Sequence, residues 1–146
     1  MAGEKGNTYS QLVLEAIFQA VFTAISGLLA NAASPDTTLY VSLHTADPTA
    51  GGSQTSSEAA YTGYARVAVA RTSGGWSISG ETVSNVAAIV FPACTGGSET
   101  ETYFGIGTAS SGAGNLLYAA PLSASLAVSN GITPEFAAGA LTVTEG

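Results

Sequence analysis

Positive charge is scarce in this chain. Of its 146 residues only Lys5, Arg66 and Arg71 are fixed cations, and the net charge is −7. Nucleic-acid binding needs several Lys or Arg to displace phosphate counterions. Three cations spread along the sequence cannot form that footprint, so no nucleic-acid partner is expected. Charge of either sign is thin, at 9% of residues against about 25% in an average soluble domain. Ser, Thr, Gly, Asn and small apolar groups must therefore coat the surface. Such a coat desolvates cheaply when a partner docks, which suits repeated subunit contacts and equally suits a bland extracellular β domain. Cysteine is limited to Cys94, which excludes an intramolecular disulfide and a cysteine-based metal cluster. Its setting, Val90-Phe91-Pro92-Ala93-Cys94, marks it as a small buried hydrophobe. The first residues lack a basic segment, an apolar run and a small-residue cleavage site, so no secretory leader is expected. Cytoplasmic synthesis, with release by lysis, fits that start.

Apolar residues are plentiful, and they are patterned. Leu14, Phe18, Val21, Ile25 and Leu28 follow a four-three spacing that puts them on one helical stripe, widened by Leu12, Ile17, Phe22 and Leu29. Gln11, Glu15, Gln19, Thr23 and Ser26 mark the other face. An amphipathic helix is expected over residues 9–30, with Thr8 and Gln11 as a capping box and Asn31 and Pro35 as the stop. A membrane span would be long enough, but Glu15 and Gln19 near its middle would together cost several kcal/mol in lipid, so no membrane partner is expected. The stripe either covers a sheet of its own subunit or forms a seam against other subunits. Leu14, Phe18, Val21, Phe22, Ile25 and Leu28 are the candidate interface residues.

After Pro35 the period changes to two. Leu39, Val41 and Leu43 alternate with Tyr40, Ser42 and His44. Further strands are expected over 64–71, 76–79, 86–91, 101–108, 115–120, 132–137 and 140–144. Ser73-Gly74-Gly75 is expected as a hairpin turn, and Asn130-Gly131 is the strongest short turn signal. Residues 46–60 form a long Gly/Ser/Thr-rich loop. About eight short strands, with turns every eight to twelve residues, suit a mainly β fold, an antiparallel sandwich or jelly roll. The expected organisation is an N-terminal helical element, 1–35, and a single β domain, 36–146.

The residues offer little chemistry. His44 and Asp47 could supply two metal ligands, completed by Asp36 or Glu58 only through coincidence of folding, and a site needs three or four. A solvent-facing His44 at a strand end, with Asp47-Pro48 opening a turn, is the expectation. No Gly-x-Ser-x-Gly elbow is present. Glu99 and Glu101 share a strand face, as an acid/base pair would, but their polar surroundings point to a solvated rim. Gly105-Ile106-Gly107 lacks the full phosphate-loop spacing and is expected to allow a bulge or a close backbone approach. Tyr40, Tyr61, Tyr64 and Trp76 are the candidate surface-recognition residues, as a sugar-stacking platform beside the long loop. No catalytic residue, metal or cofactor is expected.

The segment Leu39-Tyr40-Val41-Ser42-Leu43-His44-Thr45-Ala46-Asp47-Pro48 resembles a stretch in small tail-fibre-like and capsid-decoration virion proteins of tailed bacteriophages. The likeness continues through Glu58 to Val67, Val83-Ser84-Asn85, Phe91-Pro92 and Tyr103 to Gly107, and covers roughly residues 37–140. It implies a structural virion protein, assembled in the host cytoplasm, with no catalytic residues to carry over. The foremost expectation is a decoration protein that clamps the capsid shell, with major capsid or tail proteins as partners. The alternative is a tail or fibre module that touches the host surface. An enzyme or carbohydrate-binding domain is the third. An uncovered β edge would aggregate, so a homo-oligomer is expected, with a trimer among its forms.

Overall fold

The computed structural model describes residues 7–20 and 36–145, the side chains of 7–9 excepted. Among the described residues it is mainly β, with one α-helix, α1 (Asn7–Phe18), a short 3-10 turn at Thr49–Gly51, and nine strands: β1 (Thr38–His44), β2 (Val67–Ala70), β3 (Trp76–Ser79), β4 (Thr82–Asn85), β5 (Ile89–Val90), β6 (Ser98–Gly107), β7 (Leu116–Ser129), β8 (Glu135–Phe136) and β9 (Thr142–Thr144). They form three antiparallel sheets, ordered β2-β1-β6-β7, β3-β4-β9 and β5-β8. Two compact units interleave along the chain. One takes the described residues of Met1–Thr37, Ala70–Ala88 and Ala137–Gly146; the other takes Thr38–Val69 and Ile89–Phe136. This division differs from the expected boundary between residues 35 and 36.

In the first unit, α1 covers the β3-β4-β9 sheet. Leu14 and Phe18 are fully buried beside Trp76, Val83 and Leu141. Phe18 meets Trp76 edge-on at 4.8 Å, a geometry worth ~1 kcal/mol beyond the area it buries. The helix ends at Phe18, well short of residue 30, and Ala20 lies in the left-handed region at φ 57. Neither Gly nor Pro marks that stop in the sequence. Arg71 closes the last turn instead, donating to the carbonyls of Ala16 and Ile17. Helix ends leave such carbonyls open, and a cation there also complements the helix dipole. The expected cap at Thr8 falls inside the helix, and the stretch 21–30 lies outside the described residues. Among the described residues, no helix is long and apolar enough to cross a membrane.

The expected hairpin at Ser73–Gly75 is not one, because β2 and β3 belong to different sheets. The hairpin lies one turn later. Ser79 pairs with Thr82, and Gly80, at φ 60, is the first of the two loop residues, the place where two-residue turns of the II′ kind favour glycine. Asn85, fully enclosed, ties this unit together: its amide donates to the carbonyls of Ala87 and Ala137 and its oxygen accepts from the Leu141 N–H.

In the second unit, β1 and β6 are the central strands. Their register pairs Val41 with Ile106 and Leu43 with Phe104, so apolar side chains meet across the ladder. Phe91, Phe104 and Phe136 pack edge-to-face at about 6 Å. The β6–β7 pair is broken in the middle. Glu101 pairs with Leu126 and Tyr103 with Pro121, so Leu122, Ser123, Ala124 and Ser125 all stand opposite Thr102. A second irregularity, between Ile106 and Gly107, leaves Leu117 without a partner.

Candidate functional site

The polar centre of the second unit gathers at the end of β1. His44 is fully buried, where a solvent-facing side chain was expected. Room for its ring comes from the neighbouring strand: a Cβ on Gly105 would lie 2.6 Å from His44 Nε2 and 2.8 Å from Ser42 Oγ. The expected close approach at Gly105-Ile106-Gly107 is thus real, and glycine at 105 is required by it. Nδ1 of His44 lies 2.9 Å from the Ser56 carbonyl oxygen. A carbonyl only accepts, so Nδ1 carries the proton. Nε2 is then an acceptor, and the Ser42 hydroxyl donates to it at 2.8 Å. Burial holds the imidazole below its ordinary value, against the raising pulls of the Ser56 carbonyl and Glu58.

A serine hydroxyl donating to a histidine whose other nitrogen is anchored is the arrangement nucleophilic catalysis uses. Here both side chains are fully enclosed, so a substrate carbonyl has no approach to Ser42 Oγ. The anchor on Nδ1 is a backbone carbonyl, and it supplies no negative charge for an imidazolium.

Beside the pair sits an ionic staple. Arg66 grips Glu58 through Nε at 2.6 Å and Nη2 at 2.7 Å, a two-pronged contact. The same guanidinium donates to the carbonyls of Ala109 and Gly112. Tyr64 donates its hydroxyl to Glu58 at 3.0 Å and accepts the Leu43 N–H at 3.2 Å; burial pushes this phenol well above its ordinary value. Gln54, from the loop 46–60, is fully buried and accepts the Ala109 N–H at 2.8 Å. That loop is therefore built into the unit. Asp47 stays outside and accepts from the N–H and hydroxyl of Thr49, as expected of a turn residue.

The four aromatic recognition candidates are not assembled into a platform. Trp76 is fully buried under α1, in the other unit, and Tyr61 is 4% exposed. Tyr61 donates to the Pro92 carbonyl and stands edge-on to Tyr64 at 5.3 Å; Tyr64 stacks on Phe91. Tyr40 is half-buried on β1. Stacking on a sugar needs an exposed ring face, and Trp76 and Tyr61 have none to offer. Of the interface candidates, Leu14 and Phe18 serve the core of their own unit. Val21, Phe22, Ile25 and Leu28 lie outside the described residues.

The carboxylate pair also departs from expectation. Glu99 is partly exposed and accepts the N–H groups of Ala60 and Tyr61, both at 2.8 Å. Glu101 is fully buried, where a solvated rim was expected, and neither carboxyl oxygen meets a hydrogen-bond partner. Burial, reinforced by Glu99, pushes its pKa up to about 8. Cys94 is buried and free, its thiol donating to the Gly96 carbonyl at 3.2 Å. Among the described residues, no three His, Cys, Asp or Glu side chains are grouped to hold a metal ion. His44 and Asp47, the two candidate ligands, are engaged separately, and Glu58 is taken by Arg66.

Sequence reasoning missed Gln54, Arg66 and Glu101 as interior residues. The glycines of β6 were the available signal for the first, since a Cβ on Gly107 would fall 2.2 Å from the Gln54 side chain. A comparison with curated proteins finds no match. The model of one protein family matches residues 9–144, under the description Podophage GP4 fiber I protein gp80. With nearly its whole length matched, the chain belongs to that phage fibre family and is a structural component of the virion.

Proposed function

We propose that the protein is a non-catalytic structural module of the tail fibre, held in place by neighbouring virion proteins and by copies of itself. The observation that carries this is the fibre-family match over residues 9–144. The chemistry of the interior supports it. Ser42 and His44 are closed off and Glu58 is neutralised by Arg66, so these polar groups hold the unit together. The rival role, capsid decoration, draws on small size, low charge, a helix beside a β body and the phage likeness, with the helix stripe forming or supporting the contact with the shell. Leu14 and Phe18 are committed to their own unit, which leaves the fibre as the better supported location. The net charge of −7 favours protein partners over nucleic acid.

Synthesis and assembly take place in the host cytoplasm in this proposal, and the protein leaves within the virion. Gold-labelled antibody viewed on intact particles tests the location. Label along the fibres is expected; label over the head would overturn the fibre proposal in favour of decoration. Light scattering on the purified full-length chain tests self-association. A homo-oligomer, with a trimer the form to look for, is expected, and a monomer at high concentration would overturn that part.

A further inference from the structure

We propose that Glu101 is a proton-dependent lock on the β6–β7 pair, closed while its carboxyl is neutral and loosened when it ionises. The geometry is specific. Glu101 is fully buried in the strand that carries most of the ladder, its two oxygens meet no donor, and its polar neighbour is the Glu99 carboxylate, which can only accept and so favours the protonated form. It pairs with Leu126 at the last regular position before the ladder breaks opposite Thr102. The two backbone N–H groups near this end of β6, those of Ala60 and Tyr61, are both taken by Glu99. A carboxylate formed at Glu101 would therefore be dehydrated, with no donor to replace its water.

The titratable groups around it all oppose ionisation. Glu99 lies two residues along the same strand face and raises the carboxyl's pKa. Tyr61 packs from the loop before β2, and Cys94 from the segment after β5; Glu101, Cys94 and Glu99, together with burial, push the Tyr61 phenol up to about 12. Neither group supplies a cation. The carboxyl itself is pushed from 4.5 to about 8.

The sign follows from proton linkage. Between about 4.5 and about 8 the folded chain holds a proton that the unfolded chain has released. The contribution of Glu101 is fully present below that window, declines through it as pH rises, and levels off above it. The lock thus weakens from mildly acid pH through neutrality and is fully loosened above about 8, where the carboxyl of the folded chain has ionised.

Thermal melts of the full-length chain and of Glu101→Gln, from about pH 5 to about pH 9, test this. The glutamine keeps the size and removes the charge. The wild type is expected to lose several degrees relative to the variant as pH rises, and the two curves to converge again toward acid pH. Parallel curves would overturn the proposal. A carbon-13 NMR titration of the wild type decides independently, whether or not the variant folds. The Glu101 carboxyl resonance is expected to titrate near neutral or alkaline pH, apart from the other glutamates. Titration with the exposed glutamates would overturn the lock.

Discussion

His44 and Glu101 are both fully buried ionisable side chains on the central strands of one sheet, and they are treated in opposite ways. Each ring nitrogen of His44 has a partner, from Ser42 and from the Ser56 carbonyl. Neither oxygen of Glu101 has a donor, and the Glu99 carboxylate beside it can only accept. Burial by itself therefore does not decide the fate of a polar group; the supply of partners does. At His44 the glycine at 105 opens space and the loop 46–60 brings its carbonyls inward. At Glu101 no donor is in reach, the N–H groups of Ala60 and Tyr61 serve Glu99 instead, and the facing strand bulges away from register. The first site holds the unit in one conformation. The second makes it sensitive to pH.

Five substitutions separate the two sites. Arg66→Ala should have the largest effect, about 3 kcal/mol, because it leaves the Glu58 carboxylate unpaired beside His44; urea unfolding measures it. Arg66→Lys should recover less than half, since an ammonium cannot make the two-pronged contact. Gly105→Ala should cost about 2 kcal/mol by forcing a methyl group against His44 and Ser42, seen as a lowered melting temperature. Ser42→Ala should cost about 1 kcal/mol by leaving Nε2 without a donor. It also has a pH signature. The imidazole is held below 6.5, so its contribution is present above 6.5 and is lost as pH falls. Removing the bond that favours the neutral ring should make that acid-side loss shallower in the variant. Glu99→Gln should be the mildest, under about 1 kcal/mol, because an amide oxygen can still accept from Ala60 and Tyr61. Its diagnostic effect is electrostatic: the Glu101 titration should move toward acid pH.

Much of the β scaffold was legible in the sequence. β1 is plain in the alternation of Leu39, Val41 and Leu43, and the turn at Asn130-Gly131 appears where expected, with the Ile132 N–H bonded to the Ser129 carbonyl. The expected strand at 115–120 became β7, which runs on to Ser129. Its second half carries a period-two pattern, Leu122, Ala124, Leu126 and Val128 against serines and Ala127, but Pro121 just before it reads as a strand end. The end of α1 was illegible for a different reason: an alanine in the left-handed region leaves no mark in composition. The candidate site was least legible of all. A glutamate in a strand flanked by threonines reads as solvent-facing, and so does a histidine beside a polar loop. Only three-dimensional packing shows that Glu101 and His44 point inward, while Trp76 and Tyr61, which read as a surface platform, are core.

The broken ladder of β7 bears on how such a protein survives before assembly. Among the described residues β7 is an outer strand of its sheet, and it carries no charge over its 14 residues. A straight strand of that kind would invite stacking into amyloid-like fibrils at high protein concentration. Pro121 withholds one N–H, and the adjoining kink divides the strand into two short rungs that no straight neighbour can match along its whole length. The irregularity leaves the outer edge of the sheet without an unbroken row of groups on which another strand could pair.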